Sequence, residues 1–125
     1  MKKVTKIDTI TIEGVEYVPK EESVKMASKL DGLEYMMCRT YSAGVFAGYL
    51  KERSGQEVEL INARRIWSWA GAASLSQLAM EGTSKPNECK FPIAVERVIL
   101  TQVIEIIPIT EKAQKSIEGV AVWKK

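Results

Sequence analysis

Three arginines and one run of small residues carry the chemistry this sequence offers. Arg39 precedes Thr40, Tyr41, Ser42, Ala43 and Gly44, and Phe46 follows. A bend of small residues presents consecutive backbone N–H groups to an anion. A guanidinium beside it adds a planar fork matched to phosphate. Tyr41 or Phe46 offers a face on which a base can stack. Arg64 and Arg65 fall on a neighbouring expected strand, and two arginines converging on one pocket suit a diphosphate. Each feature also has a plainer account. The bend fits a hairpin whose glycines relieve crowding, and the arginines fit solvated strand residues paired with Glu57 or Glu59.

Further along, Trp67 and Trp69 stand two apart, which fits a pocket wall, a core or a subunit interface. The segment from Gly71 to Ser74 opens a helix with small residues. An uncluttered helix start leaves N–H groups open to an anion, so Ser74 and Gln77 join the candidate ligand-binding residues. Close packing against another helix or subunit explains the same residues.

The sequence contains no histidine. That removes the commonest general base and the commonest metal ligand. Cys38 and Cys89 are too few and too far apart for a zinc site, and Ser74 and Ser76 have no base partner in the sequence. No catalytic residue, metal or cofactor is expected, although carboxylate or lysine chemistry stays open.

The elements that position these residues follow from pattern. Ile7 to Val18 alternates apolar and polar residues around Glu13-Gly14 and predicts a hairpin closed by Pro19. Glu21 to Leu30 carries a partial apolar stripe and predicts a helix ended by Asp31-Gly32. Strands are expected at Leu33 to Tyr41, Val45 to Glu52 and Glu57 to Trp69, the last two joined by a turn at Ser54-Gly55. Regular alternation along the third strand groups Val58, Leu60, Asn62, Arg64, Ile66 and Ser68 on one face. Glu59, Ile61, Ala63, Arg65, Trp67 and Trp69 then take the other. A bulge here changes those assignments. Gly71 to Gly82 predicts a helix, Thr83 to Lys90 a loop, and Phe91 to Val95 a short strand broken by Pro92. Val98 to Ile107 reads as one buried or half-buried strand, and Thr110 to Ile117 as a helix capped by Thr110. Val120 to Trp123 is an extended tail, with Trp123 as an interface anchor.

With 125 residues, 46% hydrophobic and 27% charged, the chain fits one domain with a real core. We expect an α+β fold, mainly an antiparallel sheet with a few short helices. Residues 1–32 form a hairpin-and-helix arm that could pack on a neighbouring subunit, and residues 33–125 a ligand-binding body. A net charge of +2 argues against a general DNA or RNA binder. No apolar run is long enough to span a membrane. The two cysteines form no disulfide framework and suit a reducing cytoplasm.

Three segments carry a family resemblance: RTYSAGVFAGYL, NARRIWSWAGAASLSQLAMEG and EIIPITEKAQKSIEGVAVW. From about Glu34 to Trp123 the chain resembles the phage Thoeris anti-defence family of the first type. The resemblance implies a non-catalytic sponge acting in the cytoplasm of the infected bacterial host. It would bind the cyclic ADP-ribose isomer made by TIR-domain enzymes and withhold it from the Thoeris effector. Cyclic di- or trinucleotide signals of the CBASS system are a second implied ligand class. A homo-oligomer such as a hexamer, with sites between subunits, is also implied. Arg39 would meet phosphate, with Tyr41 or Phe46 near a base. Arg64, Arg65, Trp67 and Trp69 would line a pocket or interface, and Ser74 and Gln77 would serve the second ligand class. An enzyme degrading a cyclic nucleotide signal and a structural phage protein are the alternatives.

Overall fold

Apolar residues recur along the strands in the middle of the chain, and these strands pair as part of one antiparallel sheet. The computed structural model describes residues 10–12, 15–17 and 24–125. Strands β1 (Ile10–Ile12) and β2 (Val15–Tyr17) pair with each other, Ile12 opposite Val15. The other parts of the expected N-terminal hairpin, and Glu21 to Ser23 of the expected helix, lie outside the described residues. The main sheet contains β3 (Glu34–Thr40), β4 (Val45–Ser54), β5 (Glu57–Ile66), β6 (Val95–Leu100) and β7 (Val103–Pro108). Their spatial order is β6-β5-β4-β3-β7. Two short helices, α1 (Leu75–Glu81) and α2 (Glu111–Gly119), complete an α+β domain.

The sheet is strongly rolled, and chain length demands it. β6 and β7 occupy opposite edges, yet only Thr101 and Gln102 separate them. Across a flat five-stranded sheet the edges would stand about 19 Å apart. Three Cα steps reach at most about 11 Å. The end of β6 and the start of β7 therefore close toward each other. Val103 N donates to Gln56 O at 3.0 Å, and Tyr41 N to Gln102 O at 2.9 Å. Inside the roll lie Cys38, Phe46, Val58, Leu60, Ala63, Leu100 and Val103. The outer face buries Tyr35, Met37, Val45, Ala47 and Ile66 against Leu78 and Ala79 of α1 and Ala113 and Ile117 of α2.

Several expectations are corrected here. The single strand over Val98 to Ile107 is two, broken at Thr101-Gln102. The described part of the expected helix, Val24 to Leu30, is extended. Ala27 N donates to Ile109 O, and Glu111 N to Lys25 O. Asp31 and Gly32 both have positive φ (52° and 82°) and form a two-residue turn that pairs Leu30 with Leu33. An Asp-Gly pair favours this hairpin geometry over a helix stop. The third strand ends at Ile66, so Trp67 and Trp69 lie beyond it, and only Ser68 bridges, to Lys90. Phe91 makes an isolated parallel bridge to Val122 in place of a strand.

The regular alternation along β5 also fails, at Asn62. The pairings Ala47 with Arg64 and Tyr49 with Ile61 advance two residues on β4 and three on β5. Asn62 absorbs the extra residue with φ 50°, a conformation asparagine tolerates better than most. Beyond this bulge Ala63 and Arg65 face inward with Val58 and Leu60. Arg64 and Ile66 face outward toward the helices.

Among the described residues no helix is long and apolar enough to cross a membrane.

Candidate functional site

The bend between β3 and β4 is built by Thr40. Its N–H and its hydroxyl both donate to Gly44 O, at 2.9 and 2.7 Å, and its Oγ1 accepts from Ala43 N at 2.8 Å. Gly44 sits at φ 93°, a conformation that suits only glycine there. Ser42 Oγ bonds Gln102 Oε1 at 3.0 Å, tying the bend to the β6–β7 corner. The Tyr41 ring projects into solvent, 77% exposed. The bend is therefore rigid, but the Ala43 N–H is already committed to Thr40.

Arg65 closes the bend from β5. It stands directly opposite Phe46, with its guanidinium carbon 4.4 Å from the ring centroid. Its Nη1 donates to Ala43 O. Among the described residues its Nε and Nη2 have no acceptor. Stacking on an aromatic face and a tie to a carbonyl fix the guanidinium plane before any ligand arrives. Beside it opens a groove of about 260 Å³ lined by Phe46, Ala63, Arg65, Pro92, Ile93, Val95 and Val98. A fixed cation at the edge of an apolar groove suits an anionic ligand with a flat or apolar body.

The three arginines do not converge. Arg39 lies on the opposite face from Arg65 and bonds Glu105 across the strands, Nε to Oε1, at 2.9 Å. Arg64 is buried, 7% exposed, and each of its nitrogens donates to a backbone carbonyl. Nε reaches Pro92 O at 3.0 Å, Nη1 reaches Ile117 O at 2.9 Å, and Nη2 reaches Phe91 O at 3.1 Å. Burial pulls its pKa below the usual arginine value. Arg64 is thus a clamp joining the C-terminal turn of α2 to the Phe91-Pro92 segment, and a phosphate would have to displace that clamp.

The remaining candidates are dispersed. Trp67 is 61% exposed and stacks on Trp123, centroids 6.3 Å apart and planes 13° from parallel. Lys90 Nζ lies 5.6 Å from the Trp123 ring centroid. Trp69 packs against the outer core. At α1 two of the expected open N–H groups are taken. Ser74 Oγ accepts from Gln77 N at 3.1 Å, and Gln77 Oε1 accepts from Ala73 N at 2.7 Å. This reciprocal capping leaves fewer N–H groups for an anion.

A larger concavity, about 620 Å³, lies elsewhere, between the β4–β5 hairpin tip and β7. It holds Arg53 and Glu105, but Arg53 Nε is bonded to Gly55 O, Glu105 is paired with Arg39, and no aromatic lines it. The smaller groove is the better candidate because cation and aromatic meet in it. Pro92, Ile93, Val95 and Val98 escaped sequence reasoning, since nothing in their types marks a groove wall. The trace that was there is Asn62, a bulge-prone residue next to the two arginines. Among the described residues no cluster of three or more cysteine or acidic side chains gathers as a metal site would require.

The domain family DUF6948, a domain of unknown function, matches residues 33–117. The chain belongs to this family. The DUF6948 region runs from the start of β3 to the last turn of α2, so it includes the bend, Arg65 and the whole groove. None of the curated proteins and none of the solved structures matches the chain.

Proposed function

We propose that this protein binds a small phosphorylated nucleotide at the Arg65–Phe46 corner, without chemistry, and thereby withholds it from other proteins. The observation that carries the reading is the Arg65 guanidinium, held over Phe46 with two nitrogens open at the mouth of an apolar groove. The phosphate takes the Nε and Nη2 edge, and the rest of the ligand runs along Pro92, Ile93 and Val98. A charge-assisted bond contributes roughly 1.5–3 kcal/mol and stacking roughly 1–3 kcal/mol per base. Together they fall short of the ~8 kcal/mol of micromolar binding, so the groove walls must contribute too.

The resemblance to the Thoeris anti-defence family narrows the ligand to a cyclic ADP-ribose isomer, sequestered in the host cytoplasm. A cyclic di- or trinucleotide is the second ligand class. The lack of histidine agrees with holding a ligand rather than cleaving it. The test is to incubate the protein with cyclic ADP-ribose isomers, heat-denature it and analyse the released ligand by mass spectrometry. Recovery of intact ligand supports sequestration. A changed mass supports an enzyme that degrades the signal, and no retained ligand overturns the reading.

A second reading has its own observation. The exposed Trp67–Trp123 stack suits an interface within a homo-oligomer or a phage assembly. Under it, Trp67→Ala disrupts the assembly seen by light scattering and leaves nucleotide binding unchanged.

A further inference from the structure

Ile93 borders two concavities at once. On one side is the Arg65 groove of about 260 Å³. On the other is a hollow of about 360 Å³ lined by Tyr35, Asn62, Glu118, Val120 and Val122. Ile93 itself is 69% exposed, so its side chain is open to a ligand lying across it. The Arg65 groove alone falls below the ~300–1,000 Å³ typical of small-molecule pockets, and the second hollow lies near the low end of that range.

The two compartments differ in chemistry. The first offers a guanidinium. The second offers the Glu118 carboxylate as acceptor and the Asn62 amide as donor and acceptor. Glu118 has one long bond of its own, from Gln114 Nε2 at 3.4 Å. Asn62 stands out at the bulge with φ 50°. Burial and the Glu118 charge push the Tyr35 phenol well above its usual range, so it stays a protonated donor. Arg64 also borders this hollow, but its nitrogens are committed to carbonyls. A carboxylate flanked by neutral polar groups and apolar walls selects a ring bearing an amino group.

We propose that the ligand of the Arg65 site crosses Ile93, with its phosphate on Arg65 and an amino-bearing heteroaromatic ring in the hollow beside Glu118 and Asn62. This rests on the reading of Arg65 as an anion site. Ile93 then supports the sugar between the two ends, and Glu118 sets the choice of base.

Calorimetry on the full chain tests it with three probes: ribose 5-phosphate, cyclic ADP-ribose and the inosine counterpart of cyclic ADP-ribose. The wild-type protein should prefer cyclic ADP-ribose to the inosine form by about tenfold, and Glu118→Gln should bring that ratio toward one. Ala94→Trp, in the wall of the second hollow alone, should weaken cyclic ADP-ribose about tenfold or more through a steric clash, while ribose 5-phosphate, which stops at Arg65, stays within about twofold. Both side chains are exposed, and melting temperatures check that the variants fold. An unchanged ratio in Glu118→Gln, or equal effects of Ala94→Trp on both probes, overturns the inference and leaves the Arg65 site standing. A wild-type protein that binds none of the three overturns the reading of the Arg65 site itself.

Discussion

Arg64 and Arg65 are neighbours in sequence and opposites in role. Arg64 points outward under the helices, with all three nitrogens on backbone carbonyls. Arg65 points to the inner side of the roll, lies on Phe46 and keeps two nitrogens open. Identical side chains therefore differ in what they leave available: Arg64 is committed to the fold, and Arg65 keeps the donors that the proposed binding uses. The division depends on Asn62, whose extra residue in β5 sets which face each arginine takes. Charge and residue type alone do not mark a ligand site. What marks it is whether neighbouring backbone has already used the donors.

The sharpest way to break this comparison is Arg64→Ala. Removing a buried charge that joins three carbonyls should destabilise the fold by about 3–5 kcal/mol, read from denaturant midpoints. Arg64→Lys should recover less than half of that loss, because an ammonium lacks the planar fork. A loss below ~1 kcal/mol would mean that the clamp is not structural.

The inner side can be probed through Cys38, whose thiol burial pushes up to about 11 from 9.0. A raised folded-state pKa gives stability that is complete below the unfolded value and is lost as pH climbs. Stability should fall between pH 9 and 11, by roughly 2–3 kcal/mol in all. Cys38→Ser should flatten that part of the pH profile, and an unchanged profile would refute the assignment.

Asn62 sharpens the comparison at its origin. A branched residue is strained at positive φ, so Asn62→Val should cost about 1–2 kcal/mol. Asn62→Gly should be close to neutral by the same thermal melts. The reciprocal cap of α1 gives a comparable effect: Ser74→Ala should cost about 1 kcal/mol and leave nucleotide binding intact. A selective loss of binding would return Ser74 to the ligand site. The smallest effect belongs to Arg39. Its exposed pair with Glu105 contributes roughly 0–1 kcal/mol, so Arg39→Ala should barely move stability or binding.

Much of the fold was legible from the residues. β3, β4 and β5 announce themselves by apolar and β-branched runs separated by Ser42-Ala43-Gly44 and Ser54-Gly55, where chain reversal needs small residues. Thr110 caps α2 as its type suggests, accepting from Ala113 N at 3.1 Å. Where reading failed, the cause was long-range. Thr101-Gln102 carries no turn signal, and the corner exists because the rolled sheet brings Leu100 and Val103 into one core. Val24 to Leu30 has helical spacing too weak to outweigh a pairing partner at Ile109 and Thr110. The site was legible in part. Phe46, Arg65 and the bend were each singled out by residue type and do meet, although pattern alone set Arg65 beside Trp67 and Phe46 with Arg39. Arg39 and Arg64 do not join them, because the arrangement depends on strand parity and one bulge.

The central claim is that Arg65 alone among the three arginines holds the ligand anion. Titration calorimetry with a cyclic ADP-ribose isomer, run on the wild type, Arg65→Ala and Arg39→Ala, tests it directly. The account predicts a loss of about tenfold to a hundredfold in affinity for Arg65→Ala and little change for Arg39→Ala. Equal affinity in Arg65→Ala and the wild type, or a larger loss in Arg39→Ala, would contradict it.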